Sequence, residues 1–63
     1  MVDESEILTV EEAASLLKMS KKAIYHRVDR KTIPHVRLGG SLRFLRSDLD
    51  AWLKEHTVQP KAS

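Results

Sequence analysis

Apolar residues recur at helical spacing in three stretches of the chain and alternate in a fourth. Val10, Ala13, Ala14 and Leu17 fall at i, i+3, i+4 and i+7, which predicts a helix over about 10–18. Thr9-Val10-Glu11-Glu12 has the form of a capping box. The Thr9 hydroxyl accepts from the Glu12 N–H, and the Glu12 carboxylate reaches back to the Thr9 N–H. Leu8 precedes the cap and is placed to staple against Ala13. Ser20 is a good N-cap for a second helix, Lys21 to about Arg30. The gap of about two or three residues between them is the spacing of a helix-turn-helix. At 100° per residue, Ile24 and Val28 share the inner face of the second helix. Lys22, His26, Asp29 and Arg30 lie opposite, with Tyr25, Lys21 and Arg27 on the flanks.

Thr32-Ile33-Pro34 ends the helical region, because the residue before a proline is pushed to extended geometry. His35-Val36-Arg37-Leu38 and Ser41-Leu42-Arg43-Phe44-Leu45 then alternate around Gly39-Gly40 and read as a β-hairpin. A two-residue loop pairs Arg37 with Leu42 and mixes the faces. A three-residue loop, Gly39-Gly40-Ser41, pairs Leu38 with Leu42, Arg37 with Arg43 and Val36 with Phe44. It gathers the apolar residues on one side, so it is the expected register. Its two opposed arginines repel, a cost that an anion meeting both offsets. Ser47 is expected to cap a third helix whose first turn carries Asp48 and Asp50, favourable for the helix dipole. Leu49, Trp52 and Leu53 form its inward stripe, and it ends near Glu55 or His56.

The predicted order is helix, turn, helix, hairpin, helix, an α+β domain over residues 7–56 with flexible tails at 1–6 and 57–63. The expected core is Leu8, Val10, Ala13, Ala14, Leu17, Met19, Ile24, Val28, Ile33, Val36, Leu38, Phe44, Leu49, Trp52 and Leu53. There is no internal repeat.

Composition narrows what such a domain does. Sixty-three residues allow one small core and exclude most enzymes, which need a walled cleft. Nothing orders the Ser, His and Asp residues into a triad, so no catalytic residue and no enzyme are expected. The absence of cysteine excludes disulfides, zinc thiolates and thiol nucleophiles. His26, His35 and His56 have no metal-ligand spacing, and neither a metal nor another cofactor is expected. No apolar run approaches the ~20 residues of a membrane span, and the acidic residues 1–6 are unlike a signal peptide. These features point to a soluble, cytoplasmic protein.

The formal net charge is only +2, but it is segregated. Residues 1–17 carry a net −5 and residues 47–63 a net −1. Residues 18–46 carry Lys18, Lys21, Lys22, Arg27, Arg30, Lys31, Arg37, Arg43 and Arg46 against Asp29, a net +8. A basic middle between acidic ends suits a polyanion, or else is a solvated face with no partner. A helix with a narrow apolar stripe and a wide basic face suits the major groove of DNA, which admits one helix.

The ordered set Leu8-Thr9-Val10-Glu11-Glu12-Ala13-Ala14, Met19-Ser20, Ile24-Tyr25, Ile33-Pro34, Val36-Arg37-Leu38-Gly39-Gly40, Arg43-Phe44, Asp48-Leu49 and Ala51-Trp52-Leu53 resembles the excisionase-type, MerR-like winged helix-turn-helix domain. The resemblance runs from Leu8 to about Lys54. It implies a small winged helix-turn-helix that binds double-stranded DNA, with the second helix in the major groove and the hairpin as a wing on the backbone or in the minor groove. His26 stands where the family usually has Arg, and Arg37 and Arg43 match its wing arginines. Lys18 stands at the inter-helix turn where Gly is common, and Lys31 where Gly often precedes the Leu/Ile-Pro. No long dimerisation helix follows, so a small-molecule effector of the MerR type is not expected. The implied roles are transcription regulation or control of site-specific recombination, in the cytoplasm and associated with the nucleoid.

The expected DNA-contacting set is Ser20, Lys21, Lys22, Tyr25, His26, Arg27 and Arg30 on the helix side, with Arg37, Gly39, Gly40, Ser41 and Arg43 on the wing. Lys21, Lys22, Arg27 and Arg30 suit phosphates, which position without specifying sequence. Lys22 and His26, central on the exposed face, suit base edges. Tyr25 either offers its hydroxyl to a phosphate or simply packs. Arg37 and Arg43 suit a narrow minor groove. The alternative for Arg43 is an ion pair with Asp48 or Asp50. Trp52 belongs to the core by its spacing. One small module buries only ~600–1,000 Å² on DNA. Useful occupancy therefore calls for further copies on adjacent sites or a site-specific recombinase, with the acidic residues 1–17 available to meet a neighbour. The alternative function is a protein-interaction adaptor whose basic face meets an acidic protein.

Overall fold

The computed structural model of the chain describes residues 6–58 and residue 60. The elements follow in the order β1 (Ile7–Leu8), α1 (Val10–Leu17), α2 (Lys21–Asp29), β2 (Val36–Leu38), β3 (Ser41–Leu45) and α3 (Arg46–Glu55). The expected tails lie mostly outside the described residues. Glu6 is described, and its carbonyl accepts from Arg46 N–H at 2.8 Å.

α1 begins as its sequence dictates. Thr9 Oγ1 accepts from Glu12 N–H at 3.2 Å, and Thr9 N–H donates to Glu12 Oε1 at 2.9 Å, so two otherwise unpaired helix-end donors are satisfied reciprocally. Ser20 caps α2 through Ala23 N–H at 3.1 Å. Both helices end in the same motif. After α1, Met19 N–H reaches Ala14 O at 2.9 Å and Lys18 N–H reaches Ser15 O at 3.3 Å. After α2, Thr32 N–H reaches Arg27 O at 2.9 Å and Lys31 N–H reaches Val28 O at 3.0 Å. These are paired Schellman bonds, which require a left-handed residue after the last turn. That residue is Lys18 (φ 56) in the first case and Lys31 (φ 58) in the second. Lysine thus keeps the turn geometry that glycine adopts without strain.

The sheet has three strands in the order β1-β3-β2, all antiparallel. β1 pairs Ile7 with Leu45 and Leu8 with Phe44. This third strand was not anticipated from the sequence, because two residues carry no alternation. Leu8 does more than staple the cap: it is a sheet residue buried against the core.

The hairpin register differs from the expected one. Val36 pairs with Arg43, Arg37 with Leu42 and Leu38 with Ser41, leaving a two-residue Gly39-Gly40 loop. Gly39 has φ +62, the positive first position of a type II′ turn, whose twist matches the flanking strands. Arg37 and Arg43 are therefore not opposed; they project from opposite faces of the ribbon. The reason is that burial enforces register only where a face is covered. Phe44 and Leu8 are buried at the base of the hairpin, whereas residues 37–41 at its tip are exposed. There the turn geometry decides, and the mixed faces cost little. Leu38, expected in the core, is accordingly 53% exposed.

The start of α3 also departs from expectation. The helix begins at Arg46, its cap position is Leu45, and no side chain caps it. Ser47 lies inside the first turn. β3 runs directly into α3, and the Glu6 carbonyl takes up the Arg46 N–H. Arg46 further pairs with Glu6 and Asp50, each at 3.7 Å.

The core comprises Leu8, Val10, Ala13, Ala14, Ile24, Val28, Ile33, Phe44 and Leu49, with Phe44, Ile24 and Leu49 fully buried. All nine were expected there. Leu16, Leu17, Met19, Leu42 and Trp52 pack partly buried around it. Leu53, expected inward, is 42% exposed, and Val36 is half-buried.

Candidate nucleic-acid interface

α2 buries Ile24 and Val28 and leaves its other faces to solvent. Lys21, Lys22, Tyr25, His26, Asp29 and Arg30 are exposed, while Arg27 is half-buried. The helix forms a ridge with a groove on each side. One groove, of about 560 Å³, is bordered by Met19, Ser20, Lys22, Ala23, His26, Arg27, Arg30 and Thr32. The other, of about 520 Å³, lies between α2, the start of α1 and the wing. Tyr25 and Asp29 border it with Arg37, Gly40, Ser41 and Arg43. Ten of the twelve expected contact residues thus line one or other groove. Lys21 and Gly39 are exposed beside them. Two carboxylates, Asp29 of α2 and Glu11 of α1, also border the wing-side groove.

The cations are not equivalent. Lys21 Nζ lies 3.5 Å from Glu11 Oε2, and both side chains are mostly exposed. Pairs of this kind contribute little and exchange readily. The Glu11 carboxylate is held below its ordinary value, first by its hydrogen bond to the backbone N–H at the open end of α1 and then by the Lys21 ammonium. Part of the acidic N-terminal segment is therefore answered within the chain. Arg43 folds back so that Nη1 donates to Leu42 O at 2.8 Å. It makes no ion pair with Asp48 or Asp50; Arg46 takes Asp50 instead.

Arg27 was expected to meet phosphate. Its guanidinium carbon lies 5.5 Å from the centroid of the Trp52 ring, a cation–π contact made without DNA present. Trp52 Nε1–H donates to Thr32 O at 2.9 Å, and its ring lies 4.6 Å from that of His56. Thr32 Oγ1 donates to Arg27 O at 3.3 Å. Trp52 therefore ties α3 to the end of α2 and orients Arg27 at the groove. Thr32 and Trp52 had not been assigned to the site. Their roles rest on a bond between residues twenty apart, for which the local sequence has no signal. On the ridge itself, Arg30 Nε donates to His26 Nε2 at 3.1 Å.

Among the described residues, no group of three His, Cys, Asp or Glu side chains is arranged to hold a metal ion, and no helix is long and apolar enough to cross a membrane.

A short-turned helix pair, a hairpin beside the exposed second helix and a closing third helix define a winged helix-turn-helix. A family model described as a helix-turn-helix domain matches residues 7–57. The chain belongs to that family, the excisionase-like one its sequence resembles. Neither the curated proteins nor the solved structures compared with the chain give a match. Helix-turn-helix domains of this kind bind DNA, which supports DNA as the partner of this chain.

Proposed function

We propose that this chain is a non-enzymatic, sequence-specific module for double-stranded DNA, acting as a small transcription regulator or as an excisionase-type recombination factor. α2 lies in the major groove. The Gly39-Gly40 hairpin lies along the backbone or in the adjacent minor groove. The observation that carries this reading is the shape of α2: an exposed ridge bearing Lys21, Lys22, His26 and Arg30, with a groove on either flank. B-DNA's major groove is ~12 Å wide and receives one helix, leaving a phosphate strand on each side. Tyr25, Arg37, Ser41 and Arg43 border one flank, so the phosphates on that side meet α2 and the wing together. Ser20 and Arg27 border the other.

A module that buries only ~600–1,000 Å² holds one site weakly. It gains occupancy from neighbouring copies on adjacent sites or from a recombinase bound beside it. The net −5 of residues 1–17 suits such contacts.

Titration of labelled random-sequence duplex at several salt concentrations tests the reading. Each neutralised phosphate contributes a slope of about −0.9 in log K against log salt. Binding is expected to be steeply salt-dependent, and Arg37→Ala is expected to weaken all duplexes alike and flatten the slope by about one. No affinity for duplex even at low salt refutes the DNA reading and leaves the adaptor alternative, in which the basic face meets an acidic protein.

A further inference from the structure

At the C-terminal end of the α2 ridge, Arg30, the helix cap, and His26 act as one unit. They stand one helical turn apart, and helical side chains lean toward the N-terminus. Arg30 therefore brings its guanidinium back over His26, where Nε donates to His26 Nε2 at 3.1 Å. A guanidinium has donors only, so His26 Nε2 is the acceptor. In that bond the ring's hydrogen sits on Nδ1. The bond uses the Nε–H of Arg30 and leaves its Nη hydrogens, for which no partner is found among the described residues, available to a ligand. Three neighbouring cations have contacts within the chain: Arg27 over the Trp52 ring, Lys21 beside Glu11 and Arg43 on the Leu42 carbonyl. Among the described residues Arg30 forms no ion pair, so its charge is not already answered.

We propose that Arg30, not His26, is the base-reading side chain of α2, that the base it reads is guanine, and that His26 is the residue that positions it. This rests on the placement of α2 in the major groove. The chemistry of the pair selects the base. The hydrogens left to the pair are all donors: the Nη hydrogens of Arg30 and, with Nε2 accepting, Nδ1–H of His26. Guanine presents two acceptors on its major-groove edge, N7 and O6. Adenine presents N7 beside the N6 amino donor, which would face an arginine donor with nothing to accept it. The bond to His26 also holds a long side chain in one arrangement before DNA arrives, so less freedom is lost on binding.

Selection from a random duplex library, run with wild type, Arg30→Ala, Arg30→Gln, His26→Ala and His26→Gln, tests this. Circular dichroism confirms that each variant is folded. Wild type is expected to enrich a site with one dominant guanine, and to prefer it over the same site with adenine by about tenfold or more. Arg30→Ala should abolish that preference while keeping the rest of the site. Arg30→Gln should move the position toward adenine, which glutamine pairs on N6 and N7. His26→Ala should reduce the guanine preference several-fold with an unchanged salt slope, and His26→Gln, which keeps an acceptor, should restore part of it.

The assignment is overturned if Arg30→Ala weakens all duplexes equally and flattens the salt slope by about one, the behaviour of a phosphate contact. It is equally overturned if His26→Ala alone removes base preference. A wild-type protein that binds duplex but enriches no sequence refutes base reading by the helix as a whole, and this assignment with it.

Discussion

Replacing Lys18 and Lys31 with glycine is expected to stabilise the domain. Both lysines sit in the left-handed region, Lys18 (φ 56) immediately after α1 and Lys31 (φ 58) after the Arg30 cap of α2. A β-carbon there crowds the following carbonyl at a cost of roughly 1–2 kcal/mol. Glycine relieves that strain but returns roughly 0.4–1 kcal/mol to the unfolded chain as entropy. The net gain is about 0.5–1 kcal/mol per site. The two turns close different helices, so the double variant should gain about 1–2 kcal/mol by simple addition. At roughly 4–8 °C per kcal/mol for a domain of this size, its melting temperature should rise by about 5–15 °C. Each substitution also removes a charge, so Lys18→Ala and Lys31→Ala are the controls. They delete the ammonium and keep the β-carbon. Thermal melts followed by circular dichroism at 222 nm compare the three sets. The glycine variants should melt above the alanine variants, which should stay near wild type. Glycine variants that melt with or below their alanine counterparts would show that the left-handed turns are not the solution structure.

Three further outcomes follow from the geometry. Gly39→Ala should cost about 1 kcal/mol from its φ of +62 alone, since an added Cβ meets nothing within 4 Å. Gly40→Ala, equally open but without that strain, should be nearly neutral; urea midpoints separate the two. Trp52→Phe removes the donor to Thr32 O and weakens the contact with Arg27, and should cost ~1 kcal/mol in the same assay. Glu11 has a depressed folded-state pKa, so its ionised form contributes stability above the ordinary carboxylate range, and this is lost as pH falls through the folded value. The stability difference between wild type and Glu11→Gln should therefore favour wild type at neutral pH and vanish in acid; a difference independent of pH would refute the role of the charge.

Much of the fold is legible in short windows of the chain. The capping box at Thr9, the cap at Ser20 and the two faces of α2 all arise from bonds and contacts within three or four residues, so their signals sit together in the sequence. The basic face of α2 follows from the same periodicity, whereas the bond between His26 and Arg30 on it came only with the structure. The left-handed turns at Lys18 and Lys31 were marked only by family habit, since lysine itself gives no such sign. Tertiary structure decided the rest. β1 is two residues long and exists because β3 supplies its partner. Arg46 starts α3 without a side-chain cap because the distant Glu6 carbonyl meets its N–H. The hairpin slipped from its apolar alternation because the core covers only its base, so beyond Phe44 the Gly39-Gly40 turn set the register instead. Arg27 lies over the Trp52 ring because α3 brings that ring beside the end of α2. Helix caps and faces are local consequences of the backbone's own repeat, whereas register, edge strands and the aim of a long cation depend on which surfaces the rest of the chain happens to cover.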